Sequence, residues 1–265
     1  MSAGHSRTLP IAALQLALGL VLLAVWEWGS RMRVLDPFFF SRPSDVAVRI
    51  SRWVADGTIW PHLLTTFTEA ALSFAIGGCL GVVSGFALAR VPLLAALFDP
   101  YIRIANALPR VVLAPMFLLW FGLGIWSKVA LGVTVVFFVV FFNTFRGVRE
   151  VDAVILDNAR MLGATERQLI WHVLVPSALT WIFSSLHVSI GLAIVAVVVG
   201  EYLGATHGIG YMVAQAEGVF DTTGVFAGMT VLAAGVLLVG AAVDRLERRL
   251  LRWKRAPEER STELA

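Results

Sequence analysis

Six stretches of this chain are long and apolar enough to cross about 30 Å of hydrocarbon, which takes around 20 helical residues each. That fact removes most of fold space. The stretches run near Ile11–Trp28, Leu63–Ala89, Ile104–Gly124, Val129–Phe145, Thr180–Val199 and Val225–Val243. In lipid each backbone N–H and C=O must be satisfied internally, so spans of this length are expected to be helices. The expectation is an all-α integral membrane protein with about six transmembrane helices, one domain over residues 1–265. Charged residues make up 15% of the chain, against roughly 25% in soluble domains. Arg7 precedes the first run as in a signal peptide, but no small-x-small cleavage site follows. Trp26-Glu27-Trp28 reads instead as an interfacial anchor, which makes the first run a retained span.

One interval cannot lie in lipid. Between the fourth and fifth spans stand Arg146, Arg149, Glu150, Asp152, Asp157, Arg160, Glu166 and Arg167. Each would cost about 2.5–3.5 kcal/mol at a bilayer centre, on the order of 20 kcal/mol together. Residues 146–178 therefore form an aqueous, helix-patterned loop, the expected docking surface for a soluble partner. Lys and Arg placement orients the chain: with both termini cytosolic, fourteen basic residues fall inside and six outside, Lys128 among the six. A cytosolic tail at 1–10 and another at 244–265 complete the plan.

Between the first two spans, Ser44–Asp56 reads as an amphipathic helix on the outer leaflet. Val46, Ile50, Trp53 and Val54 share one face, while Asp45–Arg49 and Arg52–Asp56 are i,i+4 pairs on the other. Ser73, Gly77, Gly81 and Gly85 recur every four residues, the spacing that lets helix backbones approach closely in lipid, and packing within the chain is the expected use. Pro109 and Pro115 interrupt the third span and mark it as a pathway wall. Asn143, Ser185, Ser189 and Glu201 are the candidates for lining a translocation path, since polar groups at membrane depth face the bundle interior or a cavity. Serines bonding their own helix carbonyls are the competing explanation. Glu201 opens a glycine-punctuated outer loop.

Catalytic patterns are missing. The nearest approach to a phosphate-binding loop, Gly122-Leu123-Gly124-Ile125-Trp126-Ser127-Lys128, lacks the glycine before the lysine. No metal-ligand spacing occurs, and the single cysteine, Cys79, excludes an internal disulfide. The chain is expected not to hydrolyse ATP itself and to hold no cofactor; if ATP drives it, the ATPase is another polypeptide. Nucleic acid is not an expected partner, because the basic residues lie at membrane edges.

The charged loop closes with Asp157-Asn158-Ala159, then Gly163-Ala164, then Val173-Leu174-Val175-Pro176. This resembles the EAA loop of ABC-importer permeases: Glu-Ala-Ala, three residues, Gly, nine residues, Ile-x-Leu-Pro. Here Asp157 shortens the acid and Asn158 replaces the first alanine. Pro43-Ser44-Asp45-Val46, Phe121-Gly122-Leu123-Gly124, Phe142-Asn143-Thr144, Gly208-Ile209-Gly210-Tyr211 and the tail Leu246–Trp253 look like the nitrate/sulfonate/taurine branch of that family. The resemblance implies a type I ABC-importer permease fold in a bacterial cytoplasmic membrane. It implies a second copy of this chain, two cytosolic ATPase subunits that use ATP, an extracytoplasmic substrate-binding protein, and a small anion such as a sulfonate, taurine or nitrate as substrate. It also implies ATPase coupling through Asp157, Asn158, Ala159, Gly163, Ala164, Val173 and Pro176, with Gly163 making the turn and Pro176 ending the second arm. A secondary transporter or channel without an ATPase is the alternative on the residues alone; acid–base pairs, inverted repeats or unwound helices would favour it.

Overall fold

A computed structural model describes residues 8–250, so residues 1–7 and 251–265 of the two expected tails lie outside the described residues. The ordered elements are all helical: α1 (Thr8–Arg31), α2 (Pro37–Phe40), α3 (Pro43–Ala55), α4 (Ile59–Arg90), α5 (Pro92–Ala107), α6 (Ala114–Phe121), α7 (Ile125–Arg149), α8 (Ala153–Met161), α9 (Glu166–Leu169), α10 (Val175–Leu203), α11 (Ile209–Gly218) and α12 (Thr222–Leu250). A 3₁₀ turn, Arg110–Leu113, precedes α6, and a π turn, Ile170–Leu174, joins α9 to α10.

Five of these helical stretches can cross a membrane by length and hydropathy. The expected third span, Ile104–Gly124, is not one helix. It is α5 and the 3₁₀–α6 segment, bent by 87°. Pro109 explains the break: it has no N–H to give a helix and pushes Leu108 into the extended region, φ −66° and ψ 130°.

The centre of the molecule is α4, α7 and α10. The Gly77, Gly81 and Gly85 stripe of α4 lies directly on α7. A Cβ added at Gly81 would sit 2.9 Å from the Phe137 carbonyl oxygen, and one at Gly85 2.7 Å from that of Phe141. The backbones therefore touch, which is how helices gain packing energy where lipid is as apolar as the side chains. On this same seam, Val136 and Val140 of α7 also meet Ala193 of α10, with Phe74, Val82 and Leu186 around them, so the three helices share one core.

The amphipathic helix appears as α3, but its apolar face meets protein. Val46 is buried, and α3 packs along α12. The expected Asp45–Arg49 pair is replaced by Arg49–Asp221, at 2.5 Å between Arg49 Nη1 and Asp221 Oδ2. Tertiary packing aims the guanidinium across the gap rather than along its own helix, and it also lies over the Trp53 ring.

Candidate functional site

The aqueous loop folds into a hairpin that leaves the span end and returns to it. Asp152 starts α8 by accepting the Val154 N–H at 2.9 Å, the usual N-cap arrangement. The turn is built from two interlocking caps. At the end of α8, Gly163 takes φ +84°, its N–H reaches Arg160 O at 2.9 Å, and Ala164 N–H reaches Ala159 O at 3.0 Å. This is a Schellman motif, and only glycine meets its backbone requirement without strain. Immediately after it, Thr165 and Gln168 form a capping box: Gln168 N–H donates to Thr165 Oγ1 at 3.3 Å and Thr165 N–H to Gln168 Oε1 at 2.8 Å. Arg160 bonds Asp157 at 3.2 Å, and Arg90 at the end of α4 bonds Glu166 at 2.8 Å.

The hairpin is seated on the bundle by Leu156 and Ile170, which pack on a core of Val148, Leu174, Ala178 and Ile182. Its opposite surface is apolar and open. Met161 is 80% exposed and Leu162 88%, with Val154, Ile155 and Trp171 also exposed. Ala159, Leu162, Gly163, Ala164, Gln168, Leu169, His172 and Val173 line a cleft of about 380 Å³. Val173 and Pro176 also line a larger groove of about 610 Å³ against α7. Asp157 is exposed beside Arg160, and Asn158 is exposed next to it. Pro176 does not end an arm: it lies in the first turn of α10, and α9, the π turn and α10 run on as one helical stretch from Glu166 to Leu203. The π turn absorbs the hydrogen bond that proline cannot donate.

The four expected path residues are not brought together. Asn143, at the hairpin end of α7, donates to its own helix at Val139 O, 2.8 Å. Ser185 and Ser189 are buried and donate to Ile182 O and Ser185 O at 2.8 and 2.7 Å. Glu201 lies about 24 Å further along α10 than Ser185, at the opposite end of the bundle from the hairpin. It is 1% exposed and belongs to a buried network. Glu201 Oε1 accepts the Thr66 hydroxyl at 2.6 Å, and Oε2 accepts the Gly210 N–H at 2.7 Å. Thr66 Oγ1 accepts the Ile209 N–H at 2.9 Å, and His62 Nδ1 accepts the Gly208 N–H at 3.0 Å. Glu69 is buried beside Glu201. Lys128, expected in an outer loop, is instead 1% exposed, its ammonium bonded to Leu123 O at 2.6 Å and Gly124 O at 3.1 Å. The Lys128 ammonium is satisfied by those two carbonyls, whereas Glu69 Oε2 is buried without a hydrogen-bond partner. Among the described residues, no group of three or more His, Cys, Asp or Glu is placed to hold a metal ion.

Residues 77–255 match the model of the binding-protein-dependent transport system inner membrane component. The chain belongs to this family. It is 32% identical over 92% of its length to the "putative aliphatic sulfonates transport permease protein SsuC" of Bacillus subtilis, covering 88% of that protein. It is 31% identical over 89% of its length to the "formylaminopyrimidine transport permease protein ThiX" of Halalkalibacterium halodurans, covering 94% of that protein. The Escherichia coli "taurine transport system permease protein TauC" is 30% identical over 88% of this chain and 86% of that one. A solved amino acid ABC transporter crystallised with histidines superposes with a TM-score of 0.60 at 18% identity, over 76% of this chain and 96% of that chain. The fold is that of a type I ABC-importer permease.

Some of these contacts have a signature in the sequence and others have none. The Thr165-x-x-Gln168 capping box was available from its spacing alone. Thr66 and His62 carry no such signal, because what they bond is a helix start more than 140 residues away.

Proposed function

We propose that this permease is the transmembrane subunit of an ATP-driven importer that works as a pair of copies with two ATPase subunits on the cytosolic side and a substrate-binding protein outside. Both termini and the α8–α9 hairpin face the cytosol in this reading, as the excess of Lys and Arg on that side favours. The observation that carries the coupling role is the hairpin itself: a turn pre-organised by a Schellman motif and a capping box, holding Met161 and Leu162 almost fully in water. An apolar tip fixed in one conformation loses little entropy on docking, which is what a recurring protein–protein contact needs. Asp157, Asn158, Ala159, Gly163, Ala164, Val173 and Pro176 supply the shape and the flanking contacts of that surface. ATP, hydrolysed by the partner, would draw the two hairpins together, and α10, continuous with the hairpin, would swing with it to alternate access. Asn143 is the path candidate best retained, as it is half-buried near the inner mouth.

For the substrate we propose a small sulfonate such as taurine, because the SsuC and TauC relatives are named for sulfonates and taurine, although ThiX is named for a pyrimidine and a riboflavin permease, RibX of Chloroflexus aurantiacus, is 31% identical. The test is purification from native membranes in mild detergent. A stoichiometric ATPase should accompany the chain and be lost from Leu162→Asp, while taurine uptake in reconstituted vesicles should require ATP and the binding protein. A chain that purifies alone and moves taurine without ATP overturns the proposal.

A further inference from the structure

A helix of ten residues is about 15 Å long, half of what a span requires, so α11 cannot be anchored by crossing the bilayer. It is nevertheless fixed between α10 and α12. Part of that anchoring is apolar: Ile209 is 1% exposed, Ala216 faces Gly224, and Val213 faces Gly228. Beyond Ala216 its end is exposed through Glu217, Gly218, Val219 and Phe220. At the start of α11 a polar network adds to the apolar contacts. A helix start leaves its first N–H groups without partners, and side chains within the same turn usually cap them. Here three successive donors, on Gly208, Ile209 and Gly210, are taken by His62 and Thr66 of α4 and by Glu201 of α10. Thr66 and Glu201 also bond each other, which ties the two helices at the same point. No local residue substitutes for them. If α11 lifts, three backbone donors are stranded where water is scarce; if α4 and α10 part, either the Gly210 donor or those of Gly208 and Ile209 lose their acceptors. The remaining charged or titratable neighbours are Glu69 on α4, Lys128 on α7, and His207 and Tyr211, whose rings lie 5.8 and 6.0 Å from His62.

We propose that Thr66 and Glu201 are positioning residues that clasp α11 to the α4–α10 wall, so that the outer helix and the cytosolic hairpin, both carried by α10, travel as one rigid body through the transport cycle. The inference rests on the importer reading for its orientation and for the cycle that drives the motion. The outer rim is then not a separately moving lid: whatever displaces the hairpin displaces α11 with it.

The experiment places spin labels on cysteines at Gln215 of α11 and Leu64 of α4, both exposed, in a chain whose Cys79 is replaced by serine. The complex, assembled from one doubly labelled and one unlabelled copy of the chain and purified with its ATPase, is held in lipid nanodiscs, and the inter-label distance is measured without nucleotide and after trapping with ATP and vanadate. The expected result is one narrow distance, the same in both states. Thr66→Val keeps the shape but removes a hydroxyl that makes two buried bonds, which shifts the docked-to-undocked balance by roughly tenfold or more and adds a second, longer distance. Thr66→Ser restores the single distance, a rescue that a purely steric role for Thr66 does not predict. Should Thr66→Val fail to accumulate, Glu201→Gln, which keeps volume but gives up one acceptor oxygen, is read the same way. A wild-type distance that shifts on trapping, a Thr66→Val distance that stays single, or a serine variant that is not restored overturns the clasp. If no ATPase accompanies the chain, the importer reading fails by itself, and the nucleotide-free comparison of wild type, Thr66→Val and Thr66→Ser still decides whether the clasp exists.

Discussion

Gly163 permits a perturbation whose effect is confined to the backbone. Its φ of +84° is a conformation that L-residues adopt at a cost of about 1–2 kcal/mol. A Cβ built there meets nothing within 4 Å, so Gly163→Ala adds no clash, and the whole effect is torsional. The strain falls on the Schellman turn alone, because the hairpin's seat, Leu156 and Ile170, lies away from it. Strain that the free turn keeps cancels on docking, whereas strain that the free turn sheds by opening must be restored, so up to the same free energy is subtracted from each docking event. At 1.4 kcal/mol per tenfold, that weakens binding by up to roughly 5- to 30-fold. Asparagine tolerates the left-handed region, so Gly163→Asn should stay within about threefold of the wild type. The assay is a titration of detergent-solubilised permease with labelled ATPase, read by fluorescence anisotropy, with thermal unfolding of the permease as the control for the membrane core. Full affinity in Gly163→Ala would refute the reasoning, and so would an asparagine variant as weak as the alanine one. Either result would mean that the ATPase does not read the turn's backbone geometry.

Two further perturbations test the packing. Gly81→Ala puts a methyl group 2.9 Å from both Phe137 O and Val140 Cβ on the α4–α7 seam. Overpacking there should cost about 1–3 kcal/mol and lower Tm by several degrees, whereas Gly191→Ala, with nothing within 4 Å, should be neutral or stabilising. Equal Tm values for the two would contradict the seam. Arg49→Met removes the 2.5 Å pair with Asp221, whose side chains are 32% and 30% exposed. Screening limits the loss to roughly 0.5–1 kcal/mol, so a cysteine at buried Val46 in a Cys79-free chain should react about two- to fivefold faster with a maleimide, and the difference should shrink in high salt. Unchanged labelling would mean that the pair does not hold α3.

What the sequence displayed and what it concealed divide along physical lines. The long apolar helices and the charged hairpin between two of them were legible because lipid constrains them residue by residue: eight charges between apolar runs leave little room for a span. The four-residue glycine spacing was legible for the same reason, since close approach of two helices needs a repeat on one face. Pro109 announced an interruption but not the 87° bend, which depends on how α5 and α6 lie on their neighbours. Arg49 had a plausible partner four residues away and took one 172 residues away. Lys128 looked like a loop charge because charge alone does not report that two carbonyls wait at 2.6 and 3.1 Å. Glu201 stood out as the start of an outer loop, but its bond to α4 needed Thr66, a residue unremarkable on an apolar helix. Local rules carry local structure; long-range polar pairing has no local signature.

The first span shows the opposite of the central trio. Only 6% of its best apolar window is buried, with Leu14, Leu16, Leu18 and Leu20 each more than 60% exposed. Protein contacts gather at its last turns, where Ser30 donates to Ser41 O and Glu27 accepts the Ser44 N–H. The solvent for α1 is therefore the acyl chain, and an acyl chain distinguishes leucine from isoleucine or phenylalanine only faintly. Shape complementarity, which limits replacement on α4 and α7 to fractions of a methyl group, does not govern here; total hydropathy and length against bilayer thickness do. Substitutions along α1 that keep its hydropathy, its length and its anchored end should leave the packing of α4, α7 and α10 undisturbed, so α1 is where the chain can be matched to membranes of different thickness.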